Sequence, residues 1–399
     1  VPVLRLAAAM SLKPSVQSLL DAASNGNTDV VRQLLEKGAD IEATRSDHGA
    51  TPLYSAAYNG HTDVVRLLLD KSANIEATRS TSGATPLNSA ASYGHTDVVR
   101  LLLEKGANIE ATRSDTGSTP LDLAASNGHT DVVRLLLEKG ASIEAARSDT
   151  GSTPLDLAAS NGHTDVVRLL LEKGASIEAA RSDGEATPLD SAAYNGHTDV
   201  VRLLLEKGAN IDATRSDTGS TPLDLAAYRG HTEVVRLLLE KGANIEAMRT
   251  DNGITALYSA SWRGRIGVTR LLLEKGAHIE ISSTYHGRTV LHVAAWYLQT
   301  EVVRLLLDKG ANIHVAAKQA ETVLHVVFYD PLTESSSIKD PMQLIPTITV
   351  LLAHGANILQ KNDSGQTPLD LAEKCGHLEA KQLFLRHLKE HNLKPPEES

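Results

Sequence analysis

The sequence predicts an all-α solenoid of stacked helix-turn-helix units with protruding hairpin loops, and three observations predict it. A triplet, Thr-Pro-Leu or a close variant, opens at Thr51 and returns at Thr85, Thr119, Thr153, Thr187, Thr221, Thr255 and Thr289, each step being 34 residues. Within each copy the apolar residues fall at helical spacing in two short stretches separated by a glycine and a polar residue, usually Gly-His. Hydrophobic residues make up 41% of the chain but aromatics only 3%, so the interior must be built from Leu, Val, Ile and Ala. A fixed period of roughly 20–50 residues is the mark of a repeat architecture.

Each unit follows from local chemistry. Thr51 is placed to cap a first, inner helix whose opening position is Pro52, where a missing N–H costs nothing. Ala56 and Ala57 are small enough to let that helix pack closely on its neighbours. Gly60 supplies the left-handed turn that ends it. Thr62 is expected to cap a second, outer helix, with Asp63 favourably placed in its first turn. Val64, Val65, Leu68 and Leu69 form the apolar stripe of that helix. In the next copy Gly106 stops the outer helix, and a hairpin runs from Asn108 through Asp115 and Gly117. The triplet continues at Thr322 after 33 residues and at Thr367 after 45, and a degenerate copy aligns through Ala22 and Ala23, giving about eleven units. Repeats therefore start near 17, 51, 85, 119, 153, 187, 221, 255, 289, 322 and 367, in a repeat domain over 15–391. Residues 1–14 form an N-terminal flank, 330–340 an insertion, and 392–399 a tail expected to be disordered.

The series Thr-Pro-Leu, Ala-Ala, Gly-His, Val-Val, Leu-Leu-Leu and Gly-Ala-Asn resembles the ankyrin repeat over about residues 15–390. Two departures stand out. The family's usual period is about 33, so most units carry one extra hairpin residue. The histidine that commonly follows Thr-Pro-Leu occurs only as His292 and His325, which leaves the hydrogen bonding of the other turns open. The near identity of 119–152 and 153–186 also resembles the duplicated arrays that end fungal NLR-type (NACHT) receptors. One such repeat cannot bury its apolar face alone, so stability must come from stacking on neighbours. In the last unit Glu373, Lys374, Lys381, Arg386, Lys389 and Glu390 suit a polar cap.

Charge and composition narrow the partner. Lys and Arg total 39 against 49 Asp and Glu, a net charge of -10. Such a chain is a poor general polyanion binder and a poor match for an anionic membrane surface, so neither nucleic acid nor membrane is expected. No apolar run approaches the ~20 residues of a membrane-spanning helix. The apolar opening Val1–Ala9 lacks the basic start of a secretory signal, and a chain that begins at valine fits a piece of a longer one. The single cysteine, Cys375, excludes an internal disulfide and fits a reducing compartment, which points to the cytoplasm.

The aromatic residues are the sharpest functional clue. Nine of thirteen occupy two adjacent slots at the end of the inner helix. The first slot holds Tyr58, Tyr194, Tyr228, Trp262, Trp296 and Phe328; the second holds Tyr93, Tyr297 and Tyr329. Tyr54 and Tyr258 lie one helical turn earlier. The family resemblance implies that both slots face the concave groove, where exposed Tyr and Trp would act as contact hot spots. Neighbouring helices ~8–10 Å apart argue against simple ring-on-ring stacking between units. The expected partner surface is thus Tyr58, Tyr93, Tyr194, Tyr228, Arg229, Tyr258, Trp262, Arg263, Trp296, Tyr297, Phe328 and Tyr329, centred on the divergent C-terminal repeats. An extended peptide would pass roughly three residues per repeat along it. Units 119–186 offer only Ser126, Asn127, Ser160 and Asn161 there and read as spacers.

The leading reading is a non-catalytic scaffold for a protein or peptide. A rival is an enzyme or small-molecule binder in repeats 255–345, with Tyr258, His286, His292, His325 and Glu321 as acid–base groups beneath the insertion. A further rival is the ligand-sensing array of a larger receptor. No cofactor or metal is expected. His61, His95, His129, His163, His197 and His231 sit at a structural position and, one per repeat, cannot converge; His387 and His391 lack a third ligand. The arginine ladder Arg45, Arg79, Arg113, Arg147, Arg181, Arg215 and Arg249 reads as neutralised, because acids such as Asp115 and Asp149 follow two residues later.

Overall fold

The computed structural model describes residues 16–182, 185–329 and 340–393. The N-terminal flank, nearly all of the 330–340 insertion and most of the 392–399 tail lie outside the described residues. Among these residues the chain is all-α, with one isolated bridge, Ser282 to Thr289, in place of any strand. Two compact units are formed: one from 1–191 with 206–208, the other from 192–205 with 209–399. In each, a helix pair packs on the next pair, the nearest-neighbour pattern of a solenoid.

The first unit shows how each repeat is built. Pro52–Tyr58 and Thr62–Asp70 are one pair, Pro86–Ser92 and Thr96–Glu104 the next. Thr51 caps the first helix by accepting from the Tyr54 N–H at 3.1 Å, with Pro52 at the opening position. Leu53, Ala56, Ala57, Val64, Val65 and Leu68 are all essentially inaccessible. Truncating one of these leucines to alanine removes about 2–5 kcal/mol, since the stacked neighbours cannot collapse into the gap. Gly60 takes φ +76°, and a Cβ there would strike the His95 ring of the following repeat at 2.6 Å. Turn geometry and close approach therefore both demand glycine.

The second helix corrects one expectation. Thr62 is its first residue and not its cap; His61 holds the cap position and makes no capping bond. Its ring is used elsewhere. His61 Nε2 reaches the Ser24 carbonyl at 2.9 Å, and His95, His129, His163 and His231 bond Tyr58, Ser92, Ser126 and Tyr194 carbonyls in the same way. Each histidine ties the tip of the preceding first helix to the start of its own second helix.

Hairpins are stitched by carboxylates. Glu42, Glu76, Glu110 and Glu144 each accept a backbone N–H from the next hairpin at 2.7 Å, and Glu246 and Glu280 do the same in the second unit. Arg113, Arg147 and Arg215 form two-pronged ion pairs with Asp115, Asp149 and Asp217.

The third residue of the first helix settles the turns that the sequence left open. Asn88 both closes the cap, its Oδ1 accepting from the Thr85 N–H, and donates Nδ2 to the Ala111 carbonyl at 2.8 Å. His292 and His325 do the same with their two ring nitrogens, reaching the Glu321 and Gln366 carbonyls. An aspartate can only accept. Asp156 and Asp224 instead accept from the hydroxyls of Ser191 and Ser259 in the next repeat. Asp122 meets Leu157 at that place in the repeat, and its Oδ1 is buried without a partner.

Candidate functional site

The tips of the first helices follow one pairing rule. The residue in the first slot touches the second-slot residue of the next repeat, 35 positions on. Asn59 donates to Ser24, Asn127 to Ser92 and Asn161 to Ser126, at 3.2–3.4 Å. Where the first slot is aromatic, the partner is a ring or a guanidinium. Tyr58 meets Tyr93 with centroids 4.4 Å apart, and Trp262 meets Tyr297 at 5.6 Å. Arg229 lies over Tyr194 at 4.6 Å and Arg263 over Tyr228 at 4.8 Å. Tyr228 also sets its edge against Trp262 at 5.7 Å.

Ring-to-ring contact between repeats therefore occurs, against expectation, at Tyr58 with Tyr93, Tyr228 with Trp262 and Trp262 with Tyr297. Helix axes are far apart, but the two slots lean toward one another and two aromatic side chains span the gap. The expectation of exposed rings holds in part. Tyr93 is 50% exposed, Tyr58 and Tyr194 are each 37% exposed, and Tyr228, Trp262, Tyr297 and Tyr329 are half-buried. It fails at Tyr258, Trp296 and Phe328, which are buried. Phe328 packs on Phe384 and His377 of the last repeat. Trp296 is covered by the Arg288 guanidinium, 3.9 Å above its ring, while its Nε1 donates to the Tyr329 carbonyl at 3.1 Å. Arg288 is in turn held by Glu321 at 3.2 Å, both nearly inaccessible.

These contacts engage His292, His325 and Glu321 of the expected acid–base set. His292 has both ring nitrogens in the cap and the Glu321 carbonyl, and burial pulls it down to about 4. His325 is bound in the same manner and also lowered by burial. Glu321 is spent on Arg288. Burial pushes the Tyr258 hydroxyl up to about 12, so it is a phenol and not a base at neutral pH.

What remains is a cleft of about 310 Å³ at repeats 255 and 289. Tyr258, Trp262, Trp296 and Tyr297 line it from the first helices, and Tyr285 and His286 from the hairpin. Tyr285 is 73% exposed and stands edge-on to His286 at 4.3 Å. The Trp262 Nε1 atom is buried without a hydrogen bond of good geometry. Burial raises the Tyr297 hydroxyl, with the nearby Trp262 and Arg263 opposing that shift. Tyr285, with Asp251 and Asn252 that also line the cleft, lies outside the residues expected from the sequence to form the partner surface. The signal that could have found the tip contacts was present: Ser with Asn, Tyr with Tyr or Arg, and Trp with Tyr at a separation of 35.

Arg229 and Arg263 are exposed, and Arg265 replaces the ring of the usual histidine by donating Nε to the Tyr228 carbonyl at 3.2 Å. Among the described residues no group of three His, Cys, Asp or Glu could hold a metal ion, and no helix is long and apolar enough to cross a membrane. Cys375 is buried. A family model described as ankyrin repeats (3 copies) matches residues 19–113, 110–181, 178–249, 213–283 and 246–317, together most of the chain. No curated protein matches it.

Proposed function

We infer function from membership: the chain belongs to the ankyrin-repeat family, whose repeats generally mediate protein–protein interaction, and we propose that it is a non-catalytic scaffold for a protein or peptide partner. The partner surface is the row of first-helix tips at Tyr194, Tyr228, Arg229, Trp262, Arg263, Tyr297 and Tyr329, with the cleft at repeats 255 and 289 as its anchor. Tyr58 and Tyr93 add a second aromatic pair in the other unit. The observation that carries this reading is the cleft itself, aromatic on several sides with the Trp262 indole N–H and the Tyr297 hydroxyl at its wall, a setting suited to an apolar side chain. Neither nucleic acid nor membrane is part of the proposal, and the acidic balance and the lone cysteine fit a cytoplasmic setting.

A small molecule is the second reading, since ~300 Å³ is the lower end of ligand-sized pockets. Its catalytic form has lost its strongest members, His292, His325 and Glu321, to structural bonds. Selection of ligands from a random peptide display library on the full chain separates these readings. Enriched peptides should bind wild type and lose at least tenfold on Trp262→Ala with Tyr285→Ala, while thermal stability shifts little. Peptides that hold the double variant as tightly as wild type would remove the cleft from the function.

A further inference from the structure

The hairpin arginines draw on two sources of negative charge. One is the residue two positions on, as in Arg113 with Asp115 and Arg147 with Asp149. The other is the aspartate twenty-five positions back, in the first helix of the preceding repeat, as in Arg181 with Asp156 at 4.0 Å and Arg249 with Asp224 at 3.9 Å. Arg45 uses Asp21. Arg79 has neither source. Thr81 stands where Asp115 stands for Arg113, and Tyr54 stands where Asp156 and Asp224 stand for their arginines. Among the described residues its guanidinium has no ion pair and no hydrogen bond, and its Nε is buried without a partner.

That unmatched cation lies where two clefts meet, each of about 290 Å³. Arg79, Tyr54 and Tyr58 line both. The second cleft is rich in hydroxyls, with Thr81, Ser82, Ser89, Ser92 and Tyr93 around it. Ser89 is 4% exposed, and its Oγ is a second buried polar atom without a partner. Both residues line this polar cleft, and buried donors left without an acceptor are costly for a fold. The acid in the second cleft, Asp115, is already engaged by both prongs of Arg113.

We propose that Arg79 and Ser89 form a binding site for a carboxylate, presented as an acidic side chain of a peptide or by a small organic acid. The planar guanidinium matches a carboxylate fork, and the serine hydroxyl supplies a neutral donor beside it. One unpaired cation beside the Arg113–Asp115 ion pair suits a monoanion better than a phosphate dianion. The site goes beyond the scaffold reading and does not depend on the Trp262 cleft.

The test uses the side-chain Nε–H resonance of Arg79 in the full chain, assigned by its loss in Arg79→Gln. Four probes are titrated: acetate, inorganic phosphate, and blocked pentapeptides with a central Glu or Gln among alanines. Acetate and the Glu peptide should shift the resonance saturably, with Kd on the order of 1 mM, and a tenfold advantage for the peptide would mark an acidic side chain as the natural source. Thr81→Asp restores the acid that other repeats carry, keeps the fold, and should abolish the shift. Ser89→Ala should weaken it severalfold, whereas Trp262→Ala should leave it unchanged. Binding that survives Thr81→Asp, a Gln peptide as effective as Glu, phosphate binding tighter than either carboxylate, or no saturable shift each overturns the site. Loss of the display-selected peptides on Trp262→Ala, tested separately, bears only on the scaffold reading.

Discussion

Repeats 85–186 and repeats 221–329 share one backbone plan and use their helix tips in opposite ways. In the first set Ser92 with Asn127 and Ser126 with Asn161 close the tips by weak polar contacts. In the second, Tyr228 with Arg263 and Trp262 with Tyr297 occupy the corresponding places, and Trp296 lies beneath Arg288 of the preceding hairpin. The second helices hardly differ: Thr96–Glu104, Thr130–Glu138 and Thr164–Glu172 have the same sequence, and Thr232–Glu240 and Thr300–Asp308 keep its apolar stripe. Stacking energy resides in those conserved apolar faces, and the tips are left to vary. That division lets a solenoid change its surface chemistry without losing its fold.

The largest effect expected from this contrast separates a structural ring from a surface ring. Trp296→Ala should remove roughly 3–5 kcal/mol from the repeats around it, because it empties a buried site and uncovers the Arg288–Glu321 pair. Tyr194→Ala, at a partly exposed tip covered only by Arg229, should stay within about 1 kcal/mol. Chemical denaturation followed by the emission of Trp262, the tryptophan that remains, reports the first, and thermal melting the second. Equal losses would mean that the two sets of tips do not differ in the way described.

The first-helix turns differ as well, and pH should expose it. Burial holds His292 down at about 4 and lifts Asp122 up to about 6. Unfolding returns His292 to its ordinary value near 6.5. Between pH ~4 and ~6.5 the unfolded chain thus takes up a proton that the folded chain refuses, so stability around His292 falls as pH drops through that window. Asp122 behaves in reverse. Between ~4 and ~6 the folded carboxyl keeps a proton that the unfolded one releases, so stability there rises as pH drops and is lost again above ~6. Each full window amounts to roughly 3 kcal/mol before relaxation. Hydrogen exchange of Thr300–Asp308 and Thr130–Glu138 at pH 4.5 and 7 should show slopes of opposite sign. Asn88 already satisfies the same position with one acceptor and one donor. His292→Asn and Asp122→Asn should therefore flatten both slopes, and the latter should stabilise the chain by about 1–2 kcal/mol at pH 7. Parallel slopes in the two regions would refute the assignment.

What was legible in the sequence is what a single repeat determines by itself. Thr-Pro at the helix start, Ala-Ala at the contact, glycine at the turn and the Val/Leu stripe all act within one unit, so their spacing is enough. Burial of Trp296 and Phe328 depends on residues elsewhere in the chain: Arg288 from a hairpin, and Phe384 from the last helix, Leu378–Glu390. A slot that faces water in one repeat is covered in another, and no per-repeat pattern carries that information. Thr62 failed as a cap for a related reason, since the residue before it is committed to a bond with the preceding repeat. Arg79 was legible in principle, being the arginine followed by Thr81 in a ladder otherwise followed by acids, yet it was read as part of the ladder.

The smallest effect is the most demanding of the pairing rule, because it builds a contact instead of breaking one. Ser92 and Asn127 stand 35 apart, as Tyr58 and Tyr93 do, on repeats whose second helices differ only in their last residue. Changing both to tyrosine should place two rings at the separation seen for Tyr58 and Tyr93. Each single change leaves one ring facing a short polar partner and should be near neutral. A double-mutant cycle should then give a favourable coupling of about 0.5–1.5 kcal/mol, the usual value of an aromatic pair beyond its buried area. If the tips of neighbouring repeats vary independently, the coupling will vanish. In that case the Tyr–Arg and Trp–Tyr pairs of the divergent repeats would be neighbours by composition alone, and the difference between the two regions would reduce to how many aromatic residues each contains.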